Sequence, residues 1–285
     1  MPLLVTSAAG VNGDGYGALL AFEIDGSPRG VFSHDERISD PRGLAFDQDE
    51  GVLFVNSGAD RVLALDASAR VVRDTGPIAG LDPGGGNFAP DGRLLVGMRT
   101  ARSIMAFPTS LVQAGQCILP RSVVPFPRGF AFDAEGRLFL ASGIGPDGAG
   151  DDTICAFDQD LKPISAWRVD DPELSPLDLA IAPNGNVVVS SERPFGAPDA
   201  VTTVREYGAR NGRLLRVLSA AGKAEFRKPR GLRFDPEGRL YCVAQDEVAV
   251  FDFEAGECLG AVVRLPRLNG QALIFIPQNE EYRRD

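Results

Sequence analysis

The sequence predicts an all-β fold, a six-bladed β-propeller with four antiparallel strands per blade, its ring closed by the C-terminal strand joining the N-terminal blade. Three observations predict it. One stretch of sequence recurs at the roughly 40 to 50 residue spacing of a propeller blade. Each copy consists of short apolar runs separated by Gly-containing turns. The two ends of the chain carry complementary halves of one copy.

The recurring stretch is clearest at Pro41-Arg42-Gly43-Leu44-Ala45-Phe46-Asp47, Pro127-Arg128-Gly129-Phe130-Ala131-Phe132-Asp133 and Pro229-Arg230-Gly231-Leu232-Arg233-Phe234-Asp235. Two copies are degenerate, Pro83 to Leu95 and Pro176 to Val188. Each unit opens with a short apolar strand such as Gly43 to Phe46. A turn follows that ends in Asp, Asn or Glu before Gly (Gly51, Gly92, Gly136, Gly185, Gly238), and the Gly supplies the positive φ of a tight hairpin. The second strand comes next, as in Val52 to Asn56 or Leu138 to Ser142. A variable loop leads to a third strand ending in an aromatic residue in most units, as at Phe107, Phe157 and Tyr207. A looser fourth strand closes the unit, such as Arg70 to Arg73, Leu214 to Leu218 or the Trp167-containing stretch Ile164 to Val169.

The N-terminus starts at a second strand, Leu3 to Thr6, and lacks a first one. The C-terminus holds a spare, Gln271 to Pro277, whose apolar positions match Arg230 to Pro236. Joining the two closes the ring and removes two open sheet edges. The blades are then 3–37 with 270–277, 40–75, 83–124, 127–170, 176–219 and 229–264, within one domain of 285 residues.

Composition narrows the function. The net charge is −10, an acidic balance that repels phosphate backbones and argues against nucleic acid as a general partner. Cys117, Cys155, Cys242 and Cys258 are widely spaced and read as reduced thiols. No apolar run is long enough for a bilayer, and the first residues lack the basic and apolar regions of a signal peptide, so with Met1 native the expected location is cytoplasmic.

The signature Pro-Arg-Gly-Leu-Ala-Phe-Asp at Pro41, with its later Gly, resembles the NHL repeat. More loosely it is similar to the gluconolactonase/senescence-marker and streptogramin-lyase group of six-bladed propellers. The resemblance covers essentially the whole chain and implies architecture more than chemistry. It implies a site at the channel mouth and a hydrolase (lactonase-like), lyase or isomerase activity. The gluconolactonase group holds a divalent metal there through Glu, Asn and Asp. This chain has Arg, Gly, Leu and Gln at the inner-strand positions, so no metal ligand carries over. The streptogramin-lyase and zinc-dependent branches need histidines, and His34 is the single one here.

Propeller geometry places inner-strand starts and second-strand ends at one mouth. The starts carry Arg42, Gly84, Arg128, Leu177, Arg230 and Gln271; the ends carry Ser7, Ser57, Met98, Ser142, Ser191 and Ala244. Arg42, Arg128, Arg230, Gln271 and the four serines are therefore expected to bind substrate, with Arg99 and Arg193 beside them. A guanidinium offers a planar fork to carboxylate or phosphate. The alternative is that these arginines pair with carbonyls or with acids such as Asp60, Glu192 and Asp246. Glu192 and Asp246 are the expected catalytic carboxylates, with solvated loop charge as their other reading. Tyr16 is a further residue within reach of the mouth. Long loops at 8–17, 143–152 and 192–199 share that face. No cofactor is expected, although the Gly- and Asp-rich loops leave a divalent cation such as calcium open.

Three function classes follow: an enzyme acting on a small polar or anionic molecule, a non-catalytic ligand-binding or protein-interaction scaffold, and an RNA-binding module. An enzyme requires a deep polar axial pocket with a carboxylate near the arginines. A scaffold requires a plugged channel and a broad apolar patch.

Overall fold

The computed structural model describes residues 1–10, 16–124, 126–144, 148 and 151–277. Among these, regular structure is entirely β, arranged as six sheets around an axis. No helix is long and apolar enough to cross a membrane.

The first blade starts with β1 (Leu3–Ser7), β2 (Ala18–Phe22) and β3 (Pro28–Ser33). The second is β4 (Gly43–Asp47), β5 (Val52–Ser57), β6 (Arg61–Leu65) and β7 (Val71–Asp74). The third is β8 (Pro83–Phe88), β9 (Leu94–Met98), β10 (Ser103–Phe107) and β11 (Gln116–Leu119). The fourth holds β12 (Pro127–Phe132), β13 (Leu138–Ser142) and β14 (Thr153–Phe157). The fifth is β15 (Pro176–Ile181), β16 (Val187–Arg193), β17 (Val201–Tyr207) and β18 (Leu214–Leu218). The sixth is β19 (Leu232–Phe234), β20 (Leu240–Val243), β21 (Glu247–Asp252) and β22 (Glu257–Arg264), after which the chain returns to the first sheet as β23 (Leu273–Phe275).

The turn chemistry works as the repeat requires: Gly92 and Gly185 both take φ of +82°, a region closed to most side chains. The core is six seams between neighbouring blades rather than one central mass. Phe54, Val96 and Phe107 fill the seam of blades two and three, and Phe139, Trp167 and Tyr207 that of blades four and five. Second strands are sandwiched between seams, so β1, β5, β9, β13 and β20 are buried along their whole length.

Ring closure is antiparallel pairing of β23 with β1, Leu3 opposite Phe275 and Val5 opposite Leu273. The Thr6 hydroxyl accepts the N–H groups of Gln271 and Ala272, each at 3.0 Å, locking the tail to the head. Every inner strand touches the next around the axis, β23 meeting both β19 and β4.

Blade four departs from expectation. Ile164 to Val169 is not a fourth strand; one isolated bridge, Phe157 to Pro163, takes its place. The segment instead folds into the seam toward blade five. Trp167 stacks edge-on against Phe139 at 5.1 Å and donates its indole N–H to the Gly208 carbonyl at 3.2 Å. Asp171 then accepts from the Arg205 guanidinium at 2.6 Å and the Tyr207 hydroxyl at 2.7 Å. These side-chain bonds hold the segment where a strand ladder would otherwise do so.

Candidate functional site

A cavity of about 910 Å³ opens on the axis at the end where the inner strands begin. Each arginine on its wall is aimed by local backbone geometry. The Arg42 and Arg230 N–H groups bond the carbonyls of Asn56 (3.0 Å) and Val243 (2.7 Å), both on the neighbouring second strand. Blades three and five carry Gly84 and Leu177 at that inner position. They supply guanidinium groups from the second strand instead, Arg99 just after β9 and Arg193 at the end of β16. Arg99 lies where a side chain on Gly84 would be: a Cβ there would sit 3.3 Å from the Arg99 Cγ. Five of the six blades thus present a guanidinium to one cavity, and Gln271 comes from the remaining one.

Carboxylates answer most of these charges. Arg42 binds Asp40, Nε to Oδ2 at 2.7 Å, and also Asp82. Arg230 donates to Glu192 at 3.0 Å, Arg233 to Asp178 at 3.1 Å, and Arg193 approaches Asp152 at 3.7 Å. Burial raises the Asp82 carboxyl, but the hydrogen bond from Arg42 and the charges of Arg99 and Arg42 outweigh it and hold it below its ordinary value. Arg99 reaches Asp82 only at 3.9 Å, and burial with the repulsion of Arg42 pushes it down.

Arg128 is the exception. It forms no ion pair among the described residues, and its Nη1 is buried with no hydrogen-bond partner. Its guanidinium lies 4.4 Å from the Phe195 ring and 5.7 Å from that of Phe126, and it packs so closely on Gly143 that a Cβ there would fall 2.2 Å from Nε. Burial pushes its pKa to about 10; the attraction of Asp152 opposes this, while Arg230 and Arg99 add repulsion. Arg128 is still a cation at neutral pH, short of both water and counter-charge.

The cavity wall carries six arginines against Asp40, Asp152 and Asp178, with Asp82 and Glu192 pairing Arg42 and Arg230 from behind it, which leaves a small excess of positive charge. It is a cationic chamber in a protein of net charge −10. The fork of a guanidinium suits carboxylate or phosphate oxygens.

Of the expected site residues, Arg42, Arg99, Arg128, Arg193, Arg230 and Gln271 line this cavity. The serines do not. Ser57 accepts the Ser39 N–H at 3.0 Å and donates to the Arg37 carbonyl at 2.8 Å, and Ser191 accepts the Ser175 N–H at 2.9 Å. Ser7 donates to the Gly10 carbonyl at 3.5 Å, and the Ser142 hydroxyl is buried without a partner among the described residues. Their positions lie one strand behind the inner layer, so the side chains brace loops between blades. Glu192, with a side chain 2% exposed, lies behind Arg230 as its counter-ion and is not on the cavity wall. Asp246 is not on the wall; its carbonyl accepts the Leu265 N–H at 2.9 Å. Asp60 accepts the Asp82 N–H at 2.7 Å, and Tyr16 meets the His34 ring edge-on at 6.4 Å away from the cavity. Much of the loops 8–17 and 143–152 lies outside the described residues. Among the described residues no three His, Cys, Asp or Glu side chains gather as a metal-ligand group.

The acids and rings of the site escape the repeat signature. Asp40, Asp82 and Phe126 all occupy the residue before the inner-strand proline, and the Asp-Pro pairs at 40–41 and 82–83 were a readable signal. Asp178 and Phe195 carry no comparable sequence mark.

No family model matches the chain, and no curated protein matches it by sequence. Solved structures do match. A Xanthomonas campestris gluconolactonase aligns over 93% of this chain and 85% of its own, at 19% identity and a TM-score of 0.62. A streptogramin B lyase aligns over 77% of this chain and 68% of its own, at 15% identity and a TM-score of 0.58. A protein of unknown function from Bacteroides caccae covers 95% and is itself covered to 97%, at 12% identity and a TM-score of 0.66. At these identities the likeness establishes the shared propeller fold, and the chemistry must be argued from the residues of this chain.

Proposed function

We propose that the protein is a small-molecule-binding propeller whose axial cavity takes an organic anion. One observation carries the reading: Arg128 is a charged group on the cavity wall with no ion pair among the described residues, and its buried Nη1 has no hydrogen-bond partner among them. A buried cation without a counter-ion is costly, and a bound anion would relieve that cost. The open cavity, with its mixed wall of arginines and apolar side chains, fits a ligand site better than a plugged scaffold channel.

A thermal-shift screen of organic anions on the wild type and Arg128→Ala tests this. A ligand at about 100 times its Kd adds about 2.7 kcal/mol to folding stability, an easily read rise in Tm. The wild type is expected to respond and the variant not; equal responses overturn the reading.

A second reading, hydrolysis, lyase or isomerase chemistry on the bound anion, has one observation in its favour. Asp152 lies on the wall, and its guanidinium contact, Arg193 at 3.7 Å, is longer than a hydrogen bond. It is the lining carboxylate least committed to an arginine and so the best-placed base. Product formation from a bound anion, lost in Asp152→Asn, is the result that reading requires.

A further inference from the structure

The cavity has two unlike halves, and the difference specifies the ligand. Blades two and three contribute Asp40, Arg42, Arg99 and the Gly84-Gly85-Gly86 run, a wall of paired charges and bare backbone. Those glycines are enforced by close blade packing: a Cβ on Gly85 would lie 2.9 Å from the Arg128 carbonyl, and one on Gly86 2.8 Å from the Asn56 amide. Blades four and five contribute the rings and apolar side chains of the wall, Phe126, Phe130, Leu177 and Phe195, alongside Asp152, Asp178 and Arg193. Arg128, the lining guanidinium that forms no ion pair among the described residues, stands against these rings.

We infer that the ligand is an amphipathic monoanion, a carboxylate joined to an aromatic or branched aliphatic body, with the acid on Arg128 and the body against Phe195 and Phe126. The inference rests on the anion-site reading above and narrows it. The argument is steric first. With the Phe195 ring 4.4 Å and the Phe126 ring 5.7 Å from the guanidinium carbon, whatever bonds Arg128 must border both rings. Phe195 belongs to none of the six hydrophobic seams; it is an exposed ring, 52% accessible, on the loop after β16. It also lies 5.5 Å from the Arg230 guanidinium, so it bridges two cations at the mouth.

The argument is then one of hydration. A small inorganic anion at Arg128 would lose water on the sides that face phenyl rings and gain nothing there. A carboxylate carrying an apolar body loses the same water at its head. Its body, however, covers Phe195 and is itself removed from water, which is favourable. The volume, about 910 Å³, admits a ring-sized body with room to spare.

The test compares phenylacetate, its neutral amide phenylacetamide, acetate and inorganic phosphate by calorimetry on the wild type, Phe195→Ala and Arg128→Gln. Phenylacetate is expected to bind at least about tenfold more tightly than acetate, phosphate and the amide. Phe195→Ala should remove most of that advantage and leave acetate unchanged; Arg128→Gln should weaken every anion. Acetate or phosphate binding as tightly as phenylacetate, with loss in Arg128→Gln, overturns the amphipathic class while the anion site stands. Phenylacetamide matching phenylacetate also overturns it, as does a Phe195→Ala variant that keeps the full preference. No binding of any anion, with the wild type and Arg128→Gln alike, overturns both readings.

Discussion

Arg230→Ala is the substitution that best separates the structural from the ligand-binding arginines. Arg230 sits beside Arg128 on the cavity wall, so a reading based only on convergence would treat the two alike. The structure makes them unequal. Arg230 donates to Glu192 at 3.0 Å, and the Glu192 side chain is 2% exposed. Removing the arginine strands a buried carboxylate, and breaking a buried pair on one side costs about 3–5 kcal/mol. At about 2 °C per kcal/mol for a domain of this size, Tm should fall by about 6–10 °C. Arg128→Ala removes a cation with no ion pair and should shift Tm by far less. Urea unfolding monitored by fluorescence gives both values, and the double variant Glu192→Gln, Arg230→Ala should recover the greater part of the loss. An Arg230→Ala loss below about 1 kcal/mol, or a double variant no better than the single one, would refute the assignment of Glu192 as the counter-ion that fixes Arg230.

Three further outcomes follow from the same geometry. Thr6→Val removes the acceptor of two N–H groups at the ring closure and should cost about 2–4 kcal/mol, with Thr6→Ser close to wild type; equal stability of all three in urea would contradict the clasp. Gly129→Ala places a methyl 1.7 Å from Asp178 Oδ1 and 2.7 Å from its Cα, so it should lower stability by about 2 kcal/mol or more in the same assay. The Asp82 carboxyl is held below its ordinary value, so the unfolded chain binds the proton more readily. Its stabilising contribution is complete above the ordinary carboxylate range, near pH 4, and is lost as pH falls below it, a dependence that Asp82→Asn should flatten in acid titrations of stability.

The fold was legible because its cause is local and repeated. Each turn glycine and each apolar run states its part without reference to distant residues, and Leu273 pairing with Val5 follows from matching one copy to another. Blade four resisted the same reading because Trp167 and Asp171 are held by Gly208, Arg205 and Tyr207, partners 34 to 41 residues away that no periodicity reports. The arginines of the site were visible for the same reason as the strands, since they stand at one place in the repeat. The serines stand at one place too, yet their layer lies behind the wall and their hydroxyls serve backbone N–H and carbonyl groups. Strand order alone gives the end of the axis that a residue reaches, not its depth.

The fate of the repeated arginine depends on the residue that precedes its proline. In blade two that residue is Asp40, and Arg42 folds back onto it and onto Asp82, its counterpart in blade three. In blade six it is Lys228, which offers no negative charge, and the counter-ion comes from blade five as Glu192. In blade four it is Phe126, and a ring stands where blade two has a carboxylate. Among the described residues no neighbour compensates for that exchange, so Arg128 keeps its charge and its unfilled N–H. One position in the repeat therefore serves as a strut in two blades and as an unsatisfied donor in the third. Phe126→Asp should convert the third to the pattern of the second. It would supply Arg128 with an internal counter-ion, leave the propeller folded, and abolish anion binding in the calorimetric assay; a variant that folds and still binds anions at wild-type strength would show that Arg128 is not the group that holds them.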